Sequence, residues 1–203
     1  MKKRNSKGFT LLELIIAIVI LGILAVFVAP RFLNLQDDAR EAKIAETFGA
    51  FESALKYAHS KWQINGGGSA GMNNMPGYGP TDNNGNYMLD MNDVGYPLGI
   101  NKGEPMGQPH NIGQGDQGCY ELFTAIVNTD YTFSSNAAES DSVDFITKRR
   151  NLTFQDANGV GQRKLALCYF IYTKQGYNSN PDNAEIVYWY NSRNGSVTTF
   201  EPN

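Results

Sequence analysis

Glu13 is the residue whose chemistry most needs an explanation, because it lies near the start of an almost wholly apolar segment. The run from Phe9 to Ala29 contains no other charged side chain, and no Lys, Arg or His occurs before Pro30. A carboxylate inside hydrocarbon is unfavourable by roughly 2.5 to 3.5 kcal/mol, and such residues are usually retained for a function with a specific partner. The segment supplies no counter-charge for Glu13, so the counter-charge must come from elsewhere.

The apolar segment has the length of a membrane span. Its 21 residues extend roughly 30 Å as a helix, which matches the hydrocarbon core of a bilayer. The preceding octapeptide MKKRNSKG carries four basic and no acidic residues, whereas Arg31 is followed by Asp37 and Asp38. This bias in basic residues predicts a cytoplasmic N-terminus and an exported C-terminal bulk.

A cleavable secretory signal is the competing interpretation, since it also begins with basic residues and an apolar stretch. The apolar run is longer than a usual signal core, and Pro30 directly follows Ala29, the most suitable small residue for cleavage. On the residues alone, cleavage after Ala25 stays open.

Composition predicts that the rest of the chain is one globular domain. The 203 residues have a net charge of −3, and the part after the basic octapeptide holds 13 basic and 20 acidic residues. This acidic balance argues against a nucleic-acid-binding protein, whose electrostatic footprint is basic. The length is sufficient to bury a sizeable core.

An amphipathic helix is predicted to continue beyond the apolar segment as far as Trp62. Its apolar residues recur at alternating spacings of four and three, which places them on one face of a helix. They are Ile44, Phe48, Phe51, Leu55, Ala58 and Trp62. From Phe9 to Trp62 such a helix would be about 80 Å long, and Pro30 is expected to kink or loosen it. The apolar stripe is expected to pack on a globular head.

The middle of the chain is predicted to be mostly loop. The glycine-rich stretch from Asn65 to Gly71 ends the helix. It is not a phosphate-binding loop, because the glycines are not followed by the Lys and Ser or Thr that such a loop requires. Residues 66–118 are interpreted as a variable loop with one possible strand at Tyr87–Met91. A short helix from Cys119 is then predicted, with Leu122, Phe123 and Ile126 facing inward.

The strongest strand signals come last. Residues 164–173, 184–191 and 196–200 are rich in β-branched and aromatic residues and are separated by turn-forming sequences. They predict an antiparallel meander of three strands. The fold class is therefore α+β, with a long N-terminal helix packed against an antiparallel β-sheet.

The N-terminal residues resemble the bacterial type IV pilins and pseudopilins. A short basic leader ends in Gly8, Phe9 follows it, and Glu13 is the fifth residue after that glycine. Gly22 and Pro30 also stand at positions familiar from this family. The resemblance implies that a prepilin peptidase cuts between Gly8 and Phe9 and methylates the new N-terminal Phe9. It also implies that Glu13 meets the new amine of a neighbouring subunit during assembly.

Shorter motifs are similar to the mannose-sensitive haemagglutinin (MSHA) subgroup of these pilins. They are APRFLNLQDDAR, the GYP of residues 95–97, the helix at Cys119, and the endings CYFIY and IVYWYNSRNGSV. The resemblance implies a leader at 1–8, a long helix at 9–62 and a globular head at 63–203. Within the helix, residues 9–29 are expected in the membrane or filament core and residues 30–62 on the head.

The resemblance implies a structural subunit of a type IV pilus that serves surface attachment. Its implied partners are identical or related subunits, the prepilin peptidase and an assembly platform in the inner membrane. The subunit is expected in the inner membrane before assembly and in a cell-surface pilus afterwards. A pseudopilin of a type II secretion system is the alternative, and an anchored periplasmic protein that never assembles leaves Glu13 unexplained.

Two cysteines, Cys119 and Cys168, lie in the exported part and are predicted to form a disulfide, because an oxidising compartment favours pairing. Two buried free thiols are the alternative. A loop of about 50 residues closed in this way would be stabilised by about 4 kcal/mol in the chain-entropy model.

Other candidate chemistry is weaker, and neither an enzyme nor a cofactor is predicted. The stretch from Asp82 to Asp93 spaces oxygen side chains as a calcium loop does, but its sixth residue is Tyr87 rather than glycine. A turn rich in Asn and Asp is the favoured interpretation. His59 and His110 stand alone, so no metal site or catalytic constellation is indicated.

Overall fold

The computed structural model describes residues 9–68, 70–100, 102, 111–155 and 162–202. In chain order the helices and strands are α1 (Leu11–Ile64), β1 (Leu89–Met91), β2 (Pro97–Ile100), α2 (Gly115–Ile126), β3 (Phe133–Ser134), β4 (Phe145–Gln155), β5 (Gln162–Tyr172), β6 (Val187–Asn191) and β7 (Ser196–Thr198). The chain divides into two compact units, Met1–Glu46 and Thr47–Asn203, and the division falls within α1. The second unit is called the head below.

The long helix α1 has 54 residues and begins and ends within two residues of the predicted bounds. Helical backbone continues through position 30. The kink expected at Pro30 stays a prediction.

In the head, α1 buries one face, and the amphipathic pattern predicted that face correctly. The buried side chains from Thr47 onward include Phe48, Phe51, Leu55, Ala58 and Trp62, none more than 7% exposed. Ile44 of the first unit is also buried. Fully burying one large apolar side chain contributes about 1.5 to 3 kcal/mol, so this stripe is a principal source of the head's stability.

The main sheet has five strands, β3 to β7, arranged in the order of the chain. The pairs β4–β5, β5–β6 and β6–β7 are antiparallel, whereas β3 pairs with β4 in parallel. The predicted three-strand meander corresponds to β5, β6 and β7. Strands β3 and β4 were not predicted.

The missed strand β4 carries three successive cations, Lys148, Arg149 and Arg150, which hide its alternation of apolar and polar residues. Each cation has a partner in the fold. Lys148 donates to Asp116, Arg149 donates to the Ile112 carbonyl, and Arg150 donates to Glu201 and Asp182.

Residues 66–118 were interpreted as a variable loop with one possible strand, and the described part of this stretch contains a small antiparallel sheet of β1 and β2. Apolar side chains of both strands are fully buried, among them Leu89, Met91 and Leu98. The strand proposed at Tyr87–Met91 corresponds to β1. These strands have only three and four residues, which is too short for periodicity to distinguish them from loop.

Phe48 lies at the centre of the core between α1 and the sheet. Its ring stacks on Tyr188 of β6 with centroids 3.9 Å apart and planes within 2°. The rings of Phe123, Phe145 and Phe170 surround it at 5.4 to 5.5 Å. Aromatic pairs at such distances contribute about 0.5 to 1.5 kcal/mol beyond their burial, which ties α1, α2 and three strands into one core.

Cys119 of α2 and Cys168 of β5 form a disulfide, with their Cα atoms 5.5 Å apart. The structure therefore has the pairing that the sequence predicts, and the alternative of two free thiols is not found. Both cysteines are fully buried, as are Leu122 and Phe123 of α2. Ile126, also expected inside, is only partly buried.

Candidate assembly site at the start of the long helix

The first turn of α1 is closed by a reciprocal capping box between Thr10 and Glu13. The Thr10 backbone N–H and hydroxyl each donate to Glu13 Oε2 at 2.9 Å. The Glu13 backbone N–H donates in return to Thr10 Oγ1 at 3.3 Å. A helix leaves its first N–H groups without intrahelical partners, and this T-x-x-E arrangement satisfies two such donors.

Glu13 is therefore held toward the N-terminal end of the helix rather than along its side. Oε2 accepts both bonds from Thr10, whereas Oε1 accepts none from the residues that the structure describes. Phe9 lies outside the helix and is 88% exposed. A cation near Phe9 would find one carboxylate oxygen still available.

The helix after the capping box exposes apolar side chains on every side. The stretch Leu11–Val28 has a mean hydropathy of 3.1, and none of it is buried within the chain. By length and composition this helix could cross a membrane. A continuous apolar surface of this size marks a membrane or protein interaction site, because monomeric soluble proteins rarely expose one.

The structure places the predicted site residues in different settings. Phe9 and Glu13 lie together at the start of α1, and Cys119 and Cys168 lie in the head. Gly8, the residue predicted to precede the cleaved bond, lies outside the described residues. Among the described residues, Glu13 accepts hydrogen bonds from Thr10.

Thr10 is the site residue that sequence reasoning missed. The signal was present, since Ser or Thr followed three residues later by Glu before an apolar run is a recognised helix-start pattern. Glu13 therefore has a second role, as the third residue of α1.

In the head, the GYP segment noted in the sequence joins three elements. His59 of α1 contacts the Gly95 carbonyl through Nδ1 at 3.0 Å and stacks on Tyr96. The buried Tyr190 hydroxyl of β6 donates to the Pro97 carbonyl at 2.8 Å. His59 is partly buried and serves this contact.

The Asp82 loop is organised by its own hydrogen bonds. Asp82 accepts from the backbone N–H groups of Asn84 and Asn86 at 2.8 Å and from the Asn86 side chain at 2.9 Å. Hydrogen bonds from Asn86 and then Asn84 lower the pKa of Asp82. Among the described residues, no group of three or more His, Cys, Asp or Glu is positioned to hold a metal ion.

One lysine of the head is in an unusual electrostatic setting. Burial lowers the pKa of Lys102 to about 8, against an opposing effect of Asp90 and with a further lowering by Arg149. Asp90 is almost fully buried and accepts from the backbone N–H groups of Asn74 and Lys102.

Comparison with known proteins identifies relatives of the N-terminal segment. The prokaryotic N-terminal methylation motif matches residues 3–29. Over 54 residues the chain is 48% identical to the type IV narrow pilus major component PilA5 of Thermus thermophilus, covering 27% of this chain and 47% of that protein.

Other relatives are named as proteins of type II secretion systems. The chain is 44% identical over 55 residues to the type II secretion system core protein G of Klebsiella michiganensis, covering 27% of this chain and 39% of that protein. It is 46% identical over 54 residues to the protein of the same name from Vibrio cholerae, covering 27% and 37%. The chain thus spans less than half the length of these curated relatives, and no solved structure matches it.

Proposed function

Because the chain belongs through its N-terminal segment to the type IV pilin family, which includes the type II secretion pseudopilins, we propose that it is a structural subunit of a type IV pilus of the MSHA-like kind. The observation that carries the proposal is the helix Leu11–Val28, apolar and exposed on all sides, with one carboxylate in its first turn. Such a surface has no use in an isolated soluble subunit, and it suits a protein that moves from a membrane into a fibre.

In this proposal, residues 1–8 are a leader that a prepilin peptidase removes on the cytoplasmic side of the inner membrane. Cleavage between Gly8 and Phe9 creates an α-amino group, which stays cationic when Phe9 is methylated. The amine of an incoming subunit pairs with Glu13 of its neighbour, whose Oε1 accepts no bond from Thr10. Two charges that neutralise each other only on association favour assembly and set the axial register.

The subunit first spans the inner membrane with its head in the periplasm and then enters a surface pilus. Residues 9–29 form the membrane-spanning and then filament-core part, residues 30–62 continue toward the head, and residues 63–203 form the rest of the head. Its partners are copies of itself or related pilins, the peptidase and an inner-membrane assembly platform. Pilins and pseudopilins are structural subunits rather than enzymes, and no cofactor is required.

Processing is tested by mass spectrometry of the intact protein and of its N-terminal peptide. The mature chain is expected to begin at Phe9 with one added methyl group. A mature chain beginning at Val26 would indicate ordinary signal cleavage, and the pilin proposal would then be wrong.

Assembly is tested with Glu13→Val in a strain without another copy of the subunit. Membrane insertion and processing should be retained, because the cut site is unchanged and the segment becomes more hydrophobic. Fibre yield after shearing should be lost or sharply reduced, because an incoming amine meets no counter-charge. Glu41→Val is the matched control, since Glu41 is an exposed carboxylate of the same helix outside the apolar stretch, and it should leave fibres near normal.

The second candidate function is a type II secretion pseudopilin, which the relatives named core protein G favour. The two functions differ in what a deletion strain loses. Loss of sheared surface fibres with normal release of secreted enzymes supports the pilus subunit. Loss of enzyme release with unchanged surface fibres supports the pseudopilin.

A further inference from the structure

The two faces of the main sheet have different neighbours. Tyr188 and Tyr190 of β6 point to α1, where they meet Phe48 and Phe51. Side chains alternate along a strand, so Trp189 points to the opposite face. That second face carries its own apolar cluster, formed by Leu167, Ile171, Val187 and Trp189.

A surface cleft opens on this second face. It has a volume of about 250 Å³ and lies between the loop that precedes β6 and the segment that follows β7. Its lining includes the apolar Val187 and Trp189 and three acidic residues, Asp182, Glu185 and Glu201. At its rim, Phe200 is 69% exposed, although large apolar side chains of a head are usually covered.

The cleft keeps a negative charge after its internal pairs are counted. Arg150 lies over the Trp189 ring at 4.9 Å and bonds to Glu201 at 2.5 Å and to Asp182 at 3.4 Å. Glu185 accepts from the neutral amide of Gln175, so its charge is not offset by that bond. Three carboxylates and one guanidinium give the cleft a formal charge of −2 around the Trp189 ring.

The opposite side of the head presents a surface of complementary chemistry on α1. Tyr57 is 51% exposed and contacts Tyr78 edge to face at 5.0 Å. The Lys61 Nζ lies 5.6 Å from the centre of the Tyr57 ring. The Lys61 ammonium group lies over the Tyr57 ring. In the part of the chain that the structure describes, no carboxylate bonds to it as a counter-ion.

We propose that the acidic cleft receives the Tyr57–Lys61 surface of a second copy of this chain. The Tyr57 ring packs against Phe200 at the rim, and Lys61 meets the carboxylates of Glu185 and Glu201. The two surfaces lie on opposite faces of one sheet, so the contact is heterologous. A heterologous contact leaves an unused cleft at one end and an unused Tyr57–Lys61 surface at the other, so it adds further copies rather than closing a two-fold dimer. It builds an open filament where the rotation between copies does not close a ring.

This inference rests on the proposed function, because it assigns a head-to-head contact within the assembled fibre. It is independent of the Glu13 contact, which lies in the other compact unit. A chain can therefore assemble through its helix and still lack this contact, which makes the two ideas separable by experiment.

The test uses the full-length chain in sheared fibres from cells lacking the wild-type copy. The double variant Ser60→Cys with Asn183→Cys, at two exposed positions that leave the proposed contact residues in place, is treated with a flexible bis-maleimide and separated under denaturing conditions. A ladder of covalent dimers and higher multimers is expected, at least about fivefold above either single variant. The native cysteines do not react, because Cys119 and Cys168 are bonded to each other and buried.

The matched control is Ser60→Cys with Ser142→Cys, since Ser142 is exposed but does not line the cleft. It should give no more multimers than the single variants. If the cleft pair assembles into normal fibres without a ladder above this control, the proposed contact is wrong, while the proposed function stands. If these paired cysteines prevent assembly, Ser60→Cys with Thr199→Cys carries the same test from another exposed position of the cleft.

A second measurement exchanges the charges. Lys61→Glu should lower fibre yield by about two- to fivefold, which is the range for one exposed ion pair. Adding Glu185→Lys should restore the yield. An equal loss in the single and the double variant, or no loss in Lys61→Glu, would overturn the assignment of these two residues to one contact.

Discussion

Gly95 and Gly85 form a natural pair for measuring what the GYP segment contributes to the head. Both have φ at +82°, which side chains other than glycine adopt at a cost. A Cβ on Gly95 would lie 2.4 Å from Trp62 Cε3 and 2.6 Å from His59 Nδ1. A Cβ on Gly85 would have no neighbour within 4 Å. The two Ala variants therefore share a backbone cost and differ in crowding.

The expected magnitudes follow from these distances. The left-handed conformation costs an L-residue roughly 1 to 2 kcal/mol, and both variants bear this cost. Forcing an extra carbon into packed side chains adds roughly 1 to 3 kcal/mol. Gly85→Ala should therefore lower the free energy of unfolding by about 1 to 2 kcal/mol and Gly95→Ala by about 2 to 5 kcal/mol.

The assay is urea unfolding of the oxidised full-length chain in detergent, followed by tryptophan emission. In a Trp189→Phe background the emission comes from Trp62, whose ring contacts Gly95. Gly95→Ala should change the emission of the folded protein, whereas Gly85→Ala should not. Equal losses of stability in the two variants would show that Trp62 and His59 move aside freely, and the tight packing inferred for this segment would be wrong.

Three further predictions concern the disulfide, the capping box and the shifted lysine. Replacing Cys119 and Cys168 together by Ala should lower the free energy of unfolding by about 4 kcal/mol, because the bridge closes a loop across a separation of 49 residues. In urea unfolding, the reduced wild-type protein should have the same free energy of unfolding as this variant. Thr10→Val should weaken the first turn of the helix by about 1 kcal/mol, whereas Thr10→Ser should not. The measurement is hydrogen exchange of the Glu13 and Leu14 amides, which both bond to Thr10, and equal exchange in the two variants would contradict the capping role. The pKa of Lys102 is about 8 in the folded chain, whereas its ordinary value, which applies in the unfolded chain, is 10.5. Between these pH values the unfolded state binds more protons than the folded state, so the free energy of unfolding should rise with pH across that window. Lys102→Met should remove this rise, and an unchanged pH dependence would exclude Lys102 as its source.

The parts of the fold that were predicted have strong local periodicity. The buried stripe of α1 was predicted residue by residue, because side chains three and four apart share one helix face. Strands β5 and β6 were predicted because buried strands are dense in apolar and aromatic residues. Strand β4 was missed because its cations, which have partners in α2, the adjoining loop and the C-terminal segment, look solvent-exposed in the sequence. Those partners are 32 to 51 residues away, and no local pattern reports them.

Strand β2 and its pairing with β1 were missed for a different reason. Both strands are short, and the sequence around them is rich in Asn and Gly. Their order comes from distant contacts, such as the bond from the Asn92 side chain to the Ser192 carbonyl and that from Tyr190 to Pro97. The order of this segment therefore depends on contacts with residues about 100 positions away in the sequence.

The two roles of Glu13 are compatible, because hydrogen bonding and charge neutralisation are different requirements. Thr10 donates two hydrogen bonds to the carboxylate, but both donors are neutral, so the net charge of Glu13 is unchanged. Burying that charge in an apolar filament core still carries the large cost of an unpaired ion. The capping box therefore defines where the helix begins and aims the carboxylate toward Phe9, and it leaves a charge that only a cation can offset. In the proposed fibre that cation is the amine made by cleavage, so an unprocessed chain, which lacks it, should be excluded from assembly even though its helix is fully formed.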